Sequence, residues 1–218
     1  MNREEIRDTF QELSPEITDR VLTETAMNTL LKLGDKDFCA RTRCITNDTP
    51  ETISTTVNDE SWDLSTEISK FYDIDTFPGG GVLYNDERLE LVTIAQLDEI
   101  DNGWRTASAG TPEYYFRRGA KIYTNCPIDS NVDDIKVYAV LISNDFDSDT
   151  KTPFNELTNL EPYHYGLVLW LQWKAKAKIG KREDALTAMQ EYIDYTLWVK
   201  KELGGTKFGP IYFRPKNS

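Results

Sequence analysis

The chain has 218 residues, 39% of them hydrophobic and 11% aromatic, and a formal net charge of −12. That much apolar material supports a packed core in one large domain or two small ones and excludes wholesale disorder. The charge is uneven: residues 1–110 hold 10 basic and 23 acidic side chains while 171–218 hold 10 basic and 5 acidic, a balance that excludes a general phosphate binder, which needs clustered Lys and Arg.

Residues 3–13 read as a short helix. Ser14-Pro15-Glu16 predicts a second helix start, with Ser14 as N-cap and Pro15 at the first helical position. Ile17, Val21, Leu22, Ala26, Leu30 and Leu33 supply its apolar stripe, and Gly34 its stop. From Phe38 to Val57, β-branched residues around an Asn47-Asp48-Thr49-Pro50 turn predict strands that join a later sheet. Gly79-Gly80-Gly81 offers backbone freedom at a bend; no Lys-Ser/Thr follows it, as a phosphate cradle requires. The run 82–92 reads as two apolar arms about Asn85-Asp86, residues that tolerate the positive φ of tight turns. Thr93 can cap a short helix over 94–100. The segment 111–116 enters a strand that turns at Arg118-Gly119 into 121–124, and 135–142 is a final strand.

Residues 145–159 form a polar loop. Asp145, Asp147, Asp149 and Glu156 imitate calcium-loop spacing, but Thr150 stands where the sharp turn needs Gly and Lys151 adds a cation, so the expectation is a solvated acidic loop. A helix over 162–179 carries two apolar faces, one of Val168, Leu171, Ala175 and Ile179, the other of Gly166, Trp170, Trp173 and Ala177. Gly180-Lys181-Arg182 links it to a helix over 183–203, whose Leu186, Met189, Ile193, Leu197 and Trp198 are expected to face it in an antiparallel αα-hairpin. The cluster Lys174, Lys176, Lys178, Lys181 and Arg182 reads as a solvated face, or as a partner for the acidic region of a neighbouring subunit.

No run approaches the roughly 18 apolar residues that span a bilayer, and Met1-Asn2-Arg3-Glu4-Glu5 lacks the apolar core of a signal peptide, so no membrane is expected and the chain should be soluble and cytosolic when made. Cys39, Cys44 and Cys126 cannot all pair, and Cys39-x₄-Cys44 lacks the further ligands of a structural zinc; free thiols, no metal and no cofactor are expected. His164 is the single histidine. No Gly-x-Ser-x-Gly accompanies it, and beside Pro162, Tyr163 and Tyr165 it reads as a packing or hydrogen-bonding residue rather than a catalytic one. Trp104-Arg105 after Gly103 is either a stacked cation–π pair at an interface or a pin holding its loop to its own sheet.

The order Val82-Leu83-Tyr84, Arg88-Leu89-Glu90-Leu91, Gln96-Leu97-Asp98-Glu99, Gly103-Trp104-Arg105, Gly110-Thr111-Pro112-Glu113-Tyr114-Tyr115, a strand to Ile142 and a helical hairpin resembles the head-tail adaptor (connector) proteins of tailed bacteriophages, over about two thirds of the chain. The resemblance implies a structural virion protein with no active site. It would sit at the head–tail junction, made in the host bacterial cytoplasm, as a homo-oligomeric, dodecameric ring docked on the portal protein. The ring would contact further tail or ring proteins and extend a channel for double-stranded DNA that passes without specific binding. The rival readings are another minor virion or tail-completion protein, a host-side binding module, and a carboxylate-dependent hydrolase, for which the sequence offers acids but no constrained geometry.

The expected fold class is therefore α+β. N-terminal helices (1–37) and a C-terminal αα-hairpin (160–205) form a helical bundle beside an antiparallel β-rich module (38–144), with the polar loop 145–159 between, and an extended tail (206–218) follows. Phe208, Ile211, Tyr212, Phe213 and Arg214 on that tail are candidate portal-docking residues, released by a Gly204-Gly205 hinge, unless the tail folds back on its own domain. Asp98, Glu99 and Asp101 are candidate channel-lining carboxylates.

Overall fold

A computed structural model describes residues 1–18, 20–76, 80–129, 134–143 and 146–207. In chain order the elements are α1 (Arg3–Leu13), α2 (Glu24–Thr42), β1 (Glu51–Ser54), β2 (Ser61–Asp63), α3 (Leu64–Glu67), β3 (Phe71–Ile74), β4 (Val82–Tyr84), β5 (Glu87–Arg88), β6 (Glu90–Leu91) and α4 (Ile94–Ile100). They continue with β7 (Tyr114–Arg118), β8 (Lys121–Thr124), β9 (Asp134–Val137), β10 (Ala139–Leu141), α5 (Tyr165–Lys178) and α6 (Arg182–Lys207). The class is α+β, in two compact units: residues 1–45 with 142–218, and residues 46–141.

The first unit packs α1, α2, α5 and α6. Its N-terminal helix is closed by a capping box in which the Asn2 side chain accepts from Glu5 N–H and the Glu5 carboxylate accepts from Asn2 N–H. Ser14 ends α1 rather than opening α2; the second helix starts from Thr23, whose hydroxyl accepts from Ala26 N–H. Nor does Gly34 stop it. A Cβ at Gly34 would lie 2.6 Å from the Trp170 ring, so the glycine lets α5 approach, and the helix runs on to Thr42 through the buried positions Asp35, Phe38 and Cys39. Spacings of three and four residues put these side chains on one helical face, which overrides the β propensity of the segment. Phe38 stacks on Phe154 at 4.6 Å, and Gly166 on α5 gives Phe38 its space.

The αα-hairpin forms, but with a different seam on α6. The buried positions are Ala185, Ala188, Tyr192, Thr196 and Val199, while Leu186, Leu197 and Trp198 are 53%, 60% and 48% exposed. Small residues at 185 and 188 allow close helix approach, and the bulkier stripe expected to face α5 is turned outward. Helix α6 also continues through Gly204 and Gly205 to Lys207, so the glycines are not where it ends. The tail residues Phe208, Ile211, Tyr212, Phe213 and Arg214 lie outside the described residues, as do Gly79 and Asp145.

In the second unit one core of Ile53, Trp62, Leu64, Ile68, Ile74, Val82, Tyr84, Leu89, Tyr115, Ile122, Ile128, Ile135, Val137 and Ala139 joins three sheets. The first has the order β1-β9-β4-β5, the second pairs β10 with β3, and the third has the order β2-β8-β7-β6. The Asn85-Asp86 turn forms as expected, with φ of 49° and 66°. Its returning arm changes sheets: Leu89 N–H still bonds Val82 O, but Glu90 N–H bonds Glu113 O, and β6 then runs parallel to β7. The last strand divides likewise, β9 pairing β1 and β4 while β10 pairs β3. Gly81 (φ 116°) accepts Tyr138 N–H at this division. This unit holds 18 acidic residues against 7 Lys and Arg, a net charge of −11 within the chain's −12.

Candidate interaction surface

Helix α4 is fixed by a capping box, Thr93 Oγ1 accepting from Gln96 N–H and Gln96 Oε1 from Thr93 N–H. Leu97 is its one fully buried side chain and anchors it on Val92 and Phe116. That orientation projects Asp98 toward the short 3₁₀ turn that follows, where Trp104 Nε1 donates to Asp98 Oδ1 at 2.7 Å and the Arg105 guanidinium donates to both carboxylate oxygens. The Arg105 guanidinium lies over the Trp104 ring at 4.6 Å. Arg105 first, then Trp104, holds the Asp98 carboxyl below its ordinary range.

Trp104 meets Phe116 edge-on at 5.3 Å, and Phe116 stacks on Tyr123 at 5.0 Å. The β7–β8 register puts Phe116 opposite Tyr123 and Arg118 opposite Lys121, and alternation sends all four side chains to one face of the sheet. Arg118 and Lys121 lie 5.9 and 5.5 Å from the Tyr123 ring. A shallow pocket of 260 Å³ opens here, bounded by Glu60, Trp104, Arg105, Arg118 and Tyr123. The arrangement is an aromatic floor with three cations at its margin on a unit that is otherwise strongly acidic. It suits a planar or carboxylate-bearing group from a partner.

The Trp104–Arg105 pair thus belongs to its own loop through Trp104, while the Arg105 side chain stays 55% exposed. Asp98 is tied to that pair. Glu99 and Asp101 are exposed at the end of α4, with Asp101 Oδ1 accepting from Gly103 N–H at 2.9 Å. The contributions of Phe116, Arg118, Lys121 and Tyr123 escaped the sequence reading, although the two-residue Gly119-Ala120 turn fixes the register that brings them together.

In the helical unit, the acidic loop stays open to solvent, with the Asp149 side chain 41% exposed, but Asp149 is also paired. It accepts from Arg3 Nε at 2.9 Å and Arg7 Nη1 at 2.7 Å, two arginines that are 8% and 7% exposed; Arg7 and then Arg3 hold its carboxyl below the ordinary range. Asp147 pairs with Lys151 at 2.8 Å. The sequence reading missed this bolt between α1 and the loop, because nothing local links residues 142 and 146 positions apart. His164 is buried with its ring edge-on to Phe154 at 5.5 Å, and burial lowers its pKa to about 4. Cys39 and Cys44 are free thiols with sulfurs 3.8 Å apart, and Cys126 is also free. Among the described residues no group of three or more His, Cys, Asp or Glu is placed to hold a metal, and no helix is long and apolar enough to cross a membrane.

The described residues thus show an acidic β-rich unit with an aromatic, cation-edged patch, and a helical unit with an outward apolar stripe. A family model described as SU10 adaptor protein matches residues 1–200. No curated protein matches the chain. The chain belongs to the SU10 adaptor protein family, a family of bacteriophage head–tail adaptors.

Proposed function

We propose that copies of this protein form a ring at the head–tail junction that docks on the portal protein, extends the DNA channel and presents a surface to the next tail or ring component. The observation that carries this reading is the family match over residues 1–200, together with the placement of nearly all the chain's net charge, −11 of −12, in the unit 46–141. Duplex DNA moves past a wall that repels phosphate, and a low-dielectric channel of one charge sign extends that repulsion over about a Debye length, ~8 Å at physiological salt. Glu99 and Asp101 face the lumen in this reading, with Asp98 shared with Arg105. The DNA passes without specific binding. The tail, through Phe208, Ile211, Tyr212, Phe213 and Arg214, attaches each subunit to the portal, where several apolar side chains repeated around a ring give avidity.

The test is co-sedimentation of the purified protein with portal rings, followed by imaging of the pelleted complex. A ring of adaptor copies coaxial with the portal supports the reading. A protein that stays in the supernatant as a monomer at all concentrations refutes it.

A further inference from the structure

Helices α5 and α6 meet at a tip whose outer surface has no counterpart among the described residues of its own unit. Trp173 and Ala177 on α5 and Ala185 and Leu186 on α6 enclose a pocket of 420 Å³, closed at the turn by Gly180 and Arg182. From it the half-buried Met189 and Ile193 lead to Leu197, continuing an apolar stripe along α6 at spacings of three and four residues. Lys178, Lys181 and Arg182 are exposed around the mouth. Lys174 differs, since its ammonium lies 3.4 Å from the Trp173 ring centre and covers that tryptophan. An apolar hole with a cationic rim fits an apolar side chain framed by carboxylates.

The unit 46–141 carries such a feature at the edge of a sheet whose last strand among the described residues is β6. Leu91 on the edge strand β6 is 52% exposed. Glu90 beside it is exposed, and the Glu90 N–H bonds the carbonyl of Glu113, which brings a second exposed glutamate to the same edge. We propose, building on the ring reading above, that the α5–α6 tip of one subunit receives the β6 edge of a second copy, with Leu91 in the pocket and Glu90 and Glu113 opposite Lys181 and Arg182. The contact is heterologous, joining two different surfaces, so it generates a ring when the rotation closes.

Reversing charges on both sides tests it. Lys181→Glu with Arg182→Glu should weaken self-association roughly tenfold or more and lessen its dependence on salt, with an unchanged melting temperature, because these side chains lie on the surface. Adding Glu90→Lys and Glu113→Lys to the same chain should restore assembly. Sedimentation velocity, with and without portal rings and over a salt series, reads both outcomes. Assembly by the double variant at wild-type strength, or failure of the quadruple variant to recover, overturns the docking inference while leaving the ring intact. A wild-type protein that never self-associates, even on the portal, overturns both.

Discussion

Asp35 offers a sharp test of how the helical unit is held together. It lies fully buried on α2, with Oδ1 accepting from Phe154 N–H at 3.0 Å and Oδ2 buried without a hydrogen-bond partner of ordinary geometry among the described residues. Its bond to Phe154 helps hold Phe154, Asn155 and Glu156, which have φ of 58°, 56° and 59°, in a left-handed conformation that costs about 1–2 kcal/mol per residue. Burial raises the Asp35 pKa from 3.8 to about 6, against the opposing pull of hydrogen bonds from Ser143 and Phe154. The folded state therefore holds this proton more tightly than the unfolded chain. The resulting stabilisation is fully present below pH 3.8 and is lost as the pH rises through about 6. At 1.36 kcal/mol per pH unit the difference is about 3 kcal/mol. Asp35→Asn keeps an acceptor for Phe154 N–H and cannot ionise. Its amide leaves a donor facing the same space as the neutral carboxyl's hydroxyl, so at pH 4 the variant should match the wild type. At pH 8 it should be more stable by up to about 3 kcal/mol. Asp35→Ala, which orphans Phe154 N–H, should lose about 1–3 kcal/mol relative to the asparagine variant at both pH values. Urea unfolding followed by circular dichroism at pH 4 and 8 measures all three. An asparagine variant with the same pH dependence as the wild type would refute the buried-carboxylate account.

Gly166→Ala should destabilise the protein by about 1–3 kcal/mol in spite of alanine's better helix propensity, since the new Cβ would meet Phe38 at 2.3 Å and Phe38 is held against Phe154; an unchanged melting temperature would show that the rings can move. Trp104→Ala should cost about 2 kcal/mol by opening the Phe116 contact, whereas Arg105→Ala should leave the melting temperature nearly unchanged because its side chain is exposed, so a variant at 105 that folds but assembles poorly would mark Arg105 as an interface residue. Deleting residues 208–218 should leave the melting temperature nearly unchanged and abolish portal co-sedimentation; unfolding would make the tail part of the core, and retained binding would place the docking surface elsewhere. The isolated protein should show no tight binding to duplex DNA at physiological salt, and nanomolar retention in a gel-shift assay would contradict an acidic channel wall.

Local chemistry alone determined much of this protein. The Asn85-Asp86 turn, the Thr93 cap of α4, the β7–β8 hairpin and the αα-hairpin all depend on residues within a few positions of one another, where side-chain hydrogen bonds and backbone preferences act without help from the rest of the chain. The same local rules failed where distant residues compete. Gly34 has the chemistry of a helix stop, but Trp170, distant in sequence, needs its missing Cβ, and α2 continues. Leu186 and Leu197 have the hydrophobicity of an inner face, but Ala185 and Ala188 allow closer approach to α5 and, with Tyr192, take the seam. Asp149 reads as one more solvated carboxylate until Arg3 and Arg7, far away in sequence, bond to it. The Phe116–Tyr123 patch needed strand register to become visible, since alternation specifies a face but not what lies across it. Sequence thus determined the locally specified turns, caps and hairpins and the charge each segment carries, while packing decided where α2 begins and ends and which faces were consumed inside the fold.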